Sequence, residues 1–158
     1  MFLRALIAFL VLPGLAAIIF PPFLAAFDPW SKEIFLPGIV LMSFGSFLLT
    51  RCVRDFYVSG KGTLTPWDPP KNLVIAGLYQ YVRNPMYVGV VILVAGWAVL
   101  FESPLLAIYT LILAISFHVR VLKYEEPKLE SLFGNDWREY RAAVGRWIPR
   151  LRPWQGGL

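Results

Sequence analysis

Apolar runs parted only by short polar breaks constrain this chain more than any other feature. They cover residues 2–27, 34–57, 85–101 and 105–124. Each comes near the roughly 20 residues that cross a hydrocarbon core as a helix. Inside a bilayer the backbone must satisfy its own polar groups, so such runs read as helices. The last two are joined only by "ESP" and form a tight hairpin. Pro13-Gly14, Pro21-Pro22 and Pro37-Gly38 interrupt the first two, which membrane helices tolerate where neighbours satisfy the freed backbone. The chain is 58% hydrophobic over 158 residues, above the ~45–50% of ordinary soluble domains. The expected fold is therefore an all-α integral membrane domain. It has four transmembrane helices, the last two a hairpin, followed by short cytoplasmic C-terminal helices.

The first run resembles a signal peptide in its early Arg4. It stays apolar to Phe27, longer than a typical signal core, so it is read as a retained transmembrane helix. Basic residues set the orientation. Only Lys32 lies between runs one and two, and none lies in "ESP". Arg51 and Arg54 at the end of run two and Lys61, Lys71 and Arg83 after it cluster before run three, and Arg120 near the end of run four opens a strongly basic tail. The positive-inside rule puts both termini and the segment 58–84 in the cytoplasm. The net charge of +5 flanks apolar runs, so membrane lipid headgroups account for it and a nucleic-acid partner is not expected. One cysteine and one histidine exclude an internal disulfide and leave too few ligands for a Cys/His zinc site. No metal is expected.

The middle segment begins with Gly60, Gly62, Pro66, Pro69 and Pro70, which disfavour regular structure. Its second half, "NLVIAGLYQYV", is apolar and aromatic and is expected to pack on the membrane face. In the tail, Pro127 should end or bend the fourth helix. "EEPKLESLFG" should be a helix stopped by Gly134. "NDWREYRAAVG" should be another, with Asp136 and Glu139 as a capping box and Gly145 as its stop. "RWIPRLRPW" alternates cations with bulky apolar groups and suits an anionic membrane surface.

Two places carry candidate chemistry. Asn84 reads as an N-cap, with Pro85 at the first helical position. A helix N-terminus favours an anion, and Arg83 adds a full charge. The alternative is that Asn84 only caps its helix and Arg83 snorkels to headgroups. The second place is "YEEP". Glu125 and Glu126 there sit at a helix C-terminus, where the dipole disfavours carboxylates. Either cations such as Lys123, Lys128 or a tail arginine compensate, or the pair receives a ligand cation. Together the two places suit a zwitterionic ligand with a flat ring, and Tyr79, Tyr81 or Tyr87 offers a face to stack on. His118 lies two turns before Glu125 on one face. It is read either as a catalytic group or as a packed, hydrogen-bonded one. Arg120 is a further catalytic candidate, facing a headgroup or a substrate carboxylate.

"GLYQYVRNPMYVG", the hairpin, and "EEPKLESLFGNDWREYRAAVGRWIPR" together resemble the integral-membrane methyltransferases of the isoprenylcysteine carboxyl methyltransferase and phospholipid methyltransferase group. The resemblance covers about residues 60–150. It implies S-adenosylmethionine as methyl donor, in a pocket bordered by Gly77, Leu78, Tyr79, Arg83, Asn84, Pro85, Tyr87 and Gly89. Glu125 and Glu126 would lie near the donor's ammonium. The implied acceptor is a lipophilic small molecule or a prenylated or lipid substrate. Phospholipid N-methylation is the runner-up, and an amine acceptor there would give its proton to His118 or a glutamate. The eukaryotic carboxyl methyltransferases typically have His where this chain has Asn84. The short chain resembles bacterial members and favours a bacterial inner membrane. A membrane scaffold or transporter subunit is the non-enzymatic alternative.

Overall fold

A computed structural model describes residues 10–31, 34–60 and 73–156. A π-helical stretch, Leu10–Ile19, runs into α1, Phe20–Phe27. Then come α2 (Pro37–Gly60), a 3-10 turn (Gly77–Gln80), α3 (Pro85–Leu100) and α4 (Pro104–Arg120). A π turn, Val121–Glu125, joins α4 to α5, Glu126–Ala143. The described residues contain helices and no strand. The proline-rich part of the middle segment lies outside them.

The helices start where local chemistry says they should. Pro85 and Pro104 each sit in the first turn of their helices, where a missing N–H costs nothing. Ser103 caps α4 by accepting from the Leu106 amide at 3.1 Å. The prolines of the first segment are also accounted for. Pro21 cannot donate to the carbonyls four and five residues back. Those carbonyls, of Ala17 and Ala16, accept instead from Trp97 Nε1 and Tyr109 Oη, each at 3.0 Å. Side chains of α3 and α4 thus close the polar gap that the prolines open.

α2 and α3 run antiparallel at close range. A Cβ added at Gly38 would lie 2.4 Å from the Leu100 nitrogen, and one at Gly45 would lie 2.7 Å from the Leu93 nitrogen. Gly96 and Gly89 face them from α3. Small residues permit such backbone contact between apolar helices. Ala17, Leu49, Val90, Leu93 and Val94 form the core between them. A second core, Trp137, Tyr140 and Val144, belongs to α5.

By length and composition one stretch among the described residues suffices to cross a membrane, Pro104–Ala143, against the four spans expected. Leu15–Phe27 and Pro85–Leu100 are apolar but shorter. α2 is long, but its last turns carry Arg51, Arg54 and Asp55.

Three findings refine the expectations for the end of the bundle that carries Pro127. Pro127 does not end the fourth helix. The Glu126 amide donates five residues back to Val121, and this π turn re-registers the ladder just before the proline. Leu73 and Ile75 pack on the α5 aromatic core rather than on a membrane face, because α5 presents large aromatic area to them. The tail 144–154 is not a free interfacial segment. It lies along the loop before α3, tied by Arg83 N to Gly145 O, Arg150 N to Tyr81 O and Trp154 N to Gln80 O, all 2.9–3.0 Å. Gly134 does break α5, with φ 52° and ψ −116°, while Val144 rather than Gly145 caps its end.

Candidate functional site

The chain's chemistry gathers at the end of the bundle where the 3-10 turn, the start of α3, the π turn and the tail meet. Gly77 makes the turn possible. Its φ is +57°, and a Cβ would fall 1.9 Å from Asp55 Oδ2. Only glycine fits such a position cheaply. The same carboxylate lies 3.4 Å from the Leu78 amide and orients the turn. Tyr79 is turned inward, and its carbonyl accepts from Tyr140 Oη at 2.7 Å. Burial raises the Tyr140 hydroxyl well above its ordinary pKa, so it serves as a fixed donor.

Asn84 does not cap α3 with its side chain. Its Nδ2 reaches 3.2 Å to the Arg146 carbonyl instead and pins the tail. The side chain serves a distant carbonyl and caps no amide of its own helix.

Glu126 is the centre of the arrangement. Arg146 holds it in a fork, Nε to Oε1 at 2.6 Å and Nη2 to Oε2 at 2.9 Å. Arg83 Nη1 stands 3.1 Å from Oε1, with both side chains about nine-tenths buried. That distance makes an ion pair, but the N–H is not aligned for a hydrogen bond. Burial alone would push the Glu126 carboxyl up. The Arg146 hydrogen bonds and the charges of Arg83 and Arg146 hold it below the ordinary glutamate range. Burial lowers the Arg83 guanidinium, against the pull of Glu126.

Beside Glu126 lies a cavity of about 80 Å³, lined by Tyr79, Arg83, Asn84, Glu125, Glu126 and Trp137 among others. Arg83 stacks on the Trp137 ring at 5.4 Å. Among the described residues four buried side-chain polar atoms lack a partner: Arg83 Nε and Nη1, Trp137 Nε1 and Arg150 Nη1. Three belong to Arg83 and Trp137, which line the cavity, and all are donors. Buried donors are ordinarily satisfied, so this corner of the molecule has unused capacity for acceptors.

Glu125 has separate partners. It accepts from Tyr87 Oη, and Arg120 Nε lies 2.9 Å from its Oε1 and 3.2 Å from Tyr87 Oη. Glu125 lines the cavity, and Tyr87, which donates to it, lines an apolar groove of about 380 Å³ between α3 and α4. Tyr87, Val91, Ile115, Phe117, His118 and Trp147 line that groove among others. The Trp147 indole donates to His118 Nδ1 at 3.0 Å, and Tyr87 stacks on Phe117 at 4.4 Å.

Tyr79, Arg83, Asn84, Glu125 and Glu126 therefore meet around one cavity, and Tyr87 and Arg120 bond to its Glu125. His118 stands apart, in the groove. Gly77 and Leu78 face Asp55. Pro85 is buried at the start of α3, and Gly89 abuts Leu49 and the Gly45 carbonyl in the α2–α3 contact. The two charged motifs satisfy one another in part, since Arg83 and Glu126 pair directly. The tail arginine expected as one possible partner is Arg146. Trp137, Tyr140, Arg146 and Trp147 went unrecognised in the sequence. The i, i+3 spacing of Trp137 and Tyr140, which puts both on one helical face, was the available signal. No local signal marks Arg146 or Trp147.

A family profile described as phospholipid methyltransferase matches residues 34–136. This includes α2, which carries no motif legible by eye, and excludes the tail. The chain belongs to that family. Among curated proteins it is 34% identical to protein-S-isoprenylcysteine O-methyltransferase B of Arabidopsis thaliana over 78 residues, 49% of this chain and 40% of the relative. It is 41% identical to protein-S-isoprenylcysteine O-methyltransferase of Schizosaccharomyces pombe over 82 residues, 50% of this chain and 34% of the relative. It is 36% identical to methanethiol S-methyltransferase of Pseudomonas deceptionensis over 78 residues, 48% of this chain and 28% of the relative. The matches thus span less than half the length of these relatives. No solved structure matches the chain.

Proposed function

We propose that this protein transfers a methyl group from S-adenosylmethionine to a lipophilic acceptor at a membrane, as isoprenylcysteine carboxyl methyltransferases do. One observation carries the reading. A cavity bordered by buried charged groups and an apolar groove are linked through one hydrogen bond, with Glu125 lining the first and Tyr87 the second. A water-soluble donor and a lipid-soluble acceptor need such a pair of compartments. The names of the relatives agree with it.

The residues fit the donor in part. Arg83 and Trp137 would hold its carboxylate or other acceptor atoms, and Glu125 would face its ammonium. The cavity is smaller than the roughly 300–1,000 Å³ of whole-ligand pockets, so it suits one end of the molecule. When bound, S-adenosylmethionine supplies an electrophilic methyl carbon on a sulfonium. The protein's work is orientation and exclusion of water. Tyr87 is held by two partners and stacked on Phe117, so it defines a rigid wall across which the groups align.

The outward faces support membrane residence. Ile108, Leu111, Ile112 and Ile115 of α4 are exposed, as are Phe20, Phe23 and Phe27 of α1 and Val40, Phe44 and Phe47 of α2. An apolar surface this broad marks a lipid or protein contact. We read four spans here with both termini cytoplasmic, in a bacterial inner membrane. An alkaline phosphatase fusion at the C-terminus should be silent, because that reporter is active only outside the cytoplasm.

Phospholipid N-methylation is the second reading, favoured by the family description itself. The deciding measurement begins with thermal stabilisation by S-adenosylmethionine or S-adenosylhomocysteine, since a ligand of the folded state raises its stability. A labelled methyl donor with fractionated lipids or prenylated peptides then identifies the acceptor. No stabilisation at saturating ligand in the wild type would remove the methyltransferase reading.

A further inference from the structure

We infer that the tail is two-sided: its inward side locks onto the bundle, and its outward side docks on an anionic membrane leaflet. Ile148 and Leu151 enter the boundary of the hydrocarbon, and Lys123 and Arg152 meet the anionic headgroups. The inference rests on the proposed membrane residence and adds a specific lipid contact to it.

The inward side is fixed at four places. Arg146 is forked on Glu126, and Trp147 donates to His118 Nδ1 at 3.0 Å. The amides of Arg150 and Trp154 are tied to the carbonyls of Tyr81 and Gln80. A segment held in this way cannot turn its remaining side chains inward. Ile148 is 81% exposed and Leu151 is 100% exposed. Single exposed apolar residues are ordinary. These two lie three apart on a pinned segment, and a larger apolar face adjoins them.

His118 sets the level of the tail on that face. α4 and the π turn after it expose Ile108, Ile112, Ile115, Val119 and Leu122. At 1.5 Å per residue this face is about 21 Å long, and it extends past His118. Arg120 and Lys123 stand at its end, both exposed. With α4 in a bilayer, the Trp147–His118 contact falls where hydrocarbon gives way to headgroups. Ile148 follows directly. Bulky apolar groups interleaved with cations bind at such a boundary.

Charge selects the lipid. Residues 141–158 contain four arginines and no acidic residue. Arg146 is engaged by Glu126 and Arg141 by Glu130. Among the described residues no ion pair engages Lys123 or Arg152, which are both exposed. An anionic leaflet attracts cations held at its surface. A second copy of this chain, meeting the tail by the same patch, would set arginines against arginines. The docked and locked sides share one short segment, so docking also steadies Arg146 at the cavity and Trp147 at the groove.

Cys52 is the only cysteine and is fully buried, so thiol probes report introduced sites. The full chain carries an uncharged nitrobenzoxadiazole label at Ile148→Cys or Leu151→Cys, one copy per nanodisc. In phosphatidylcholine discs that also contain phosphatidylglycerol, spin-labelled lipid should quench the label and acrylamide should not. Shielding from acrylamide should fall several-fold in pure phosphatidylcholine, and likewise when Lys123→Gln and Arg152→Gln are combined. Trypsin cleavage after Arg150 of the unlabelled protein should be several-fold slower in the anionic discs. Free access of acrylamide in anionic discs, or equal shielding and cleavage in the two lipids, overturns the inference. Shielding that appears only when two copies share a disc assigns the face to a second copy and overturns it too. A label at Ile112→Cys separates the two claims. If lipid quenches it while the tail labels lie in water, only the tail contact fails. If it also lies in water, the membrane reading falls and the tail contact with it.

Discussion

The molecule buries a carboxylate at each end of α4, and the two are treated in opposite ways. At one end Asp28 is 5% exposed. It accepts from Ser103 Oγ, from the Leu105 amide at 3.1 Å and from the Trp30 amide at 3.0 Å. Its partners are a hydroxyl and two amides, all neutral. The site ties the 28–31 segment to the start of α4. At the other end Glu126 is 8% exposed and is met by two charged guanidiniums. Donors there exceed acceptors, and three remain unused. A closed account suits a structural staple. A surplus of buried donors suits a site that waits for something.

The sharpest way to break that contrast is to remove Arg83. Arg83→Met should abolish the stabilisation by S-adenosylhomocysteine and lower methyl transfer by roughly 30- to 100-fold, the loss of about 2–3 kcal/mol of charge-assisted contact. Asp28→Asn should leave both unchanged. If Asp28→Asn costs ligand binding as heavily as Arg83→Met, the two ends are not functionally distinct.

Stability should order the sites next. Glu126→Ala strands two arginines, one of them deeply buried, and should cost about 3 kcal/mol in denaturant unfolding. The same variant should loosen the tail, seen as faster proteolysis after residue 143. Glu126→Gln keeps the shape and should cost less.

Trp137→Phe offers a test in which two readouts move apart. It removes an indole N–H that lacks an acceptor, so unliganded stability should hold or rise. Ligand binding should weaken by about five- to tenfold, the value of roughly one hydrogen bond. A fall in both would mean that the indole is satisfied in the free protein.

The smallest effect is on acid stability. Glu126 has a folded pKa below its ordinary 4.5. Its stabilising contribution is full above that value and is lost as pH falls below it toward the folded pKa. Melting temperature measured from pH 6 to pH 3 should therefore fall less steeply in Glu126→Gln than in the wild type. Equal slopes would show that the arginine fork does not hold the carboxyl down.

Much of the scaffold was legible in the sequence, because its signals are local. Pro85 and Pro104 start helices that hydrophobicity had already outlined. "ESP" makes the hairpin turn, and Gly134 breaks the tail helix through a conformation that other residues resist. The differences have two causes. Asn84 looked like a cap, but a carbonyl 62 residues away took its side chain. The basic tail suited a membrane surface, and two of its side chains found protein partners, Arg146 on Glu126 and Trp147 on His118; in both cases a tertiary partner entered. Pro127 was expected to end or bend the fourth helix, and a local π turn just ahead of it carries the helix on.

The sequence by itself determined that this chain is helical, where its helices begin, and which of its loops concentrates charge and aromatic rings. Those properties follow from proline geometry, side-chain periodicity and hydrophobicity, which act within a few residues. Only the tertiary structure decided which arginines hold Glu126 and which donors are left over. Those depend on groups far apart in the chain being buried together, where an unpaired polar atom is expensive enough to dictate its neighbours.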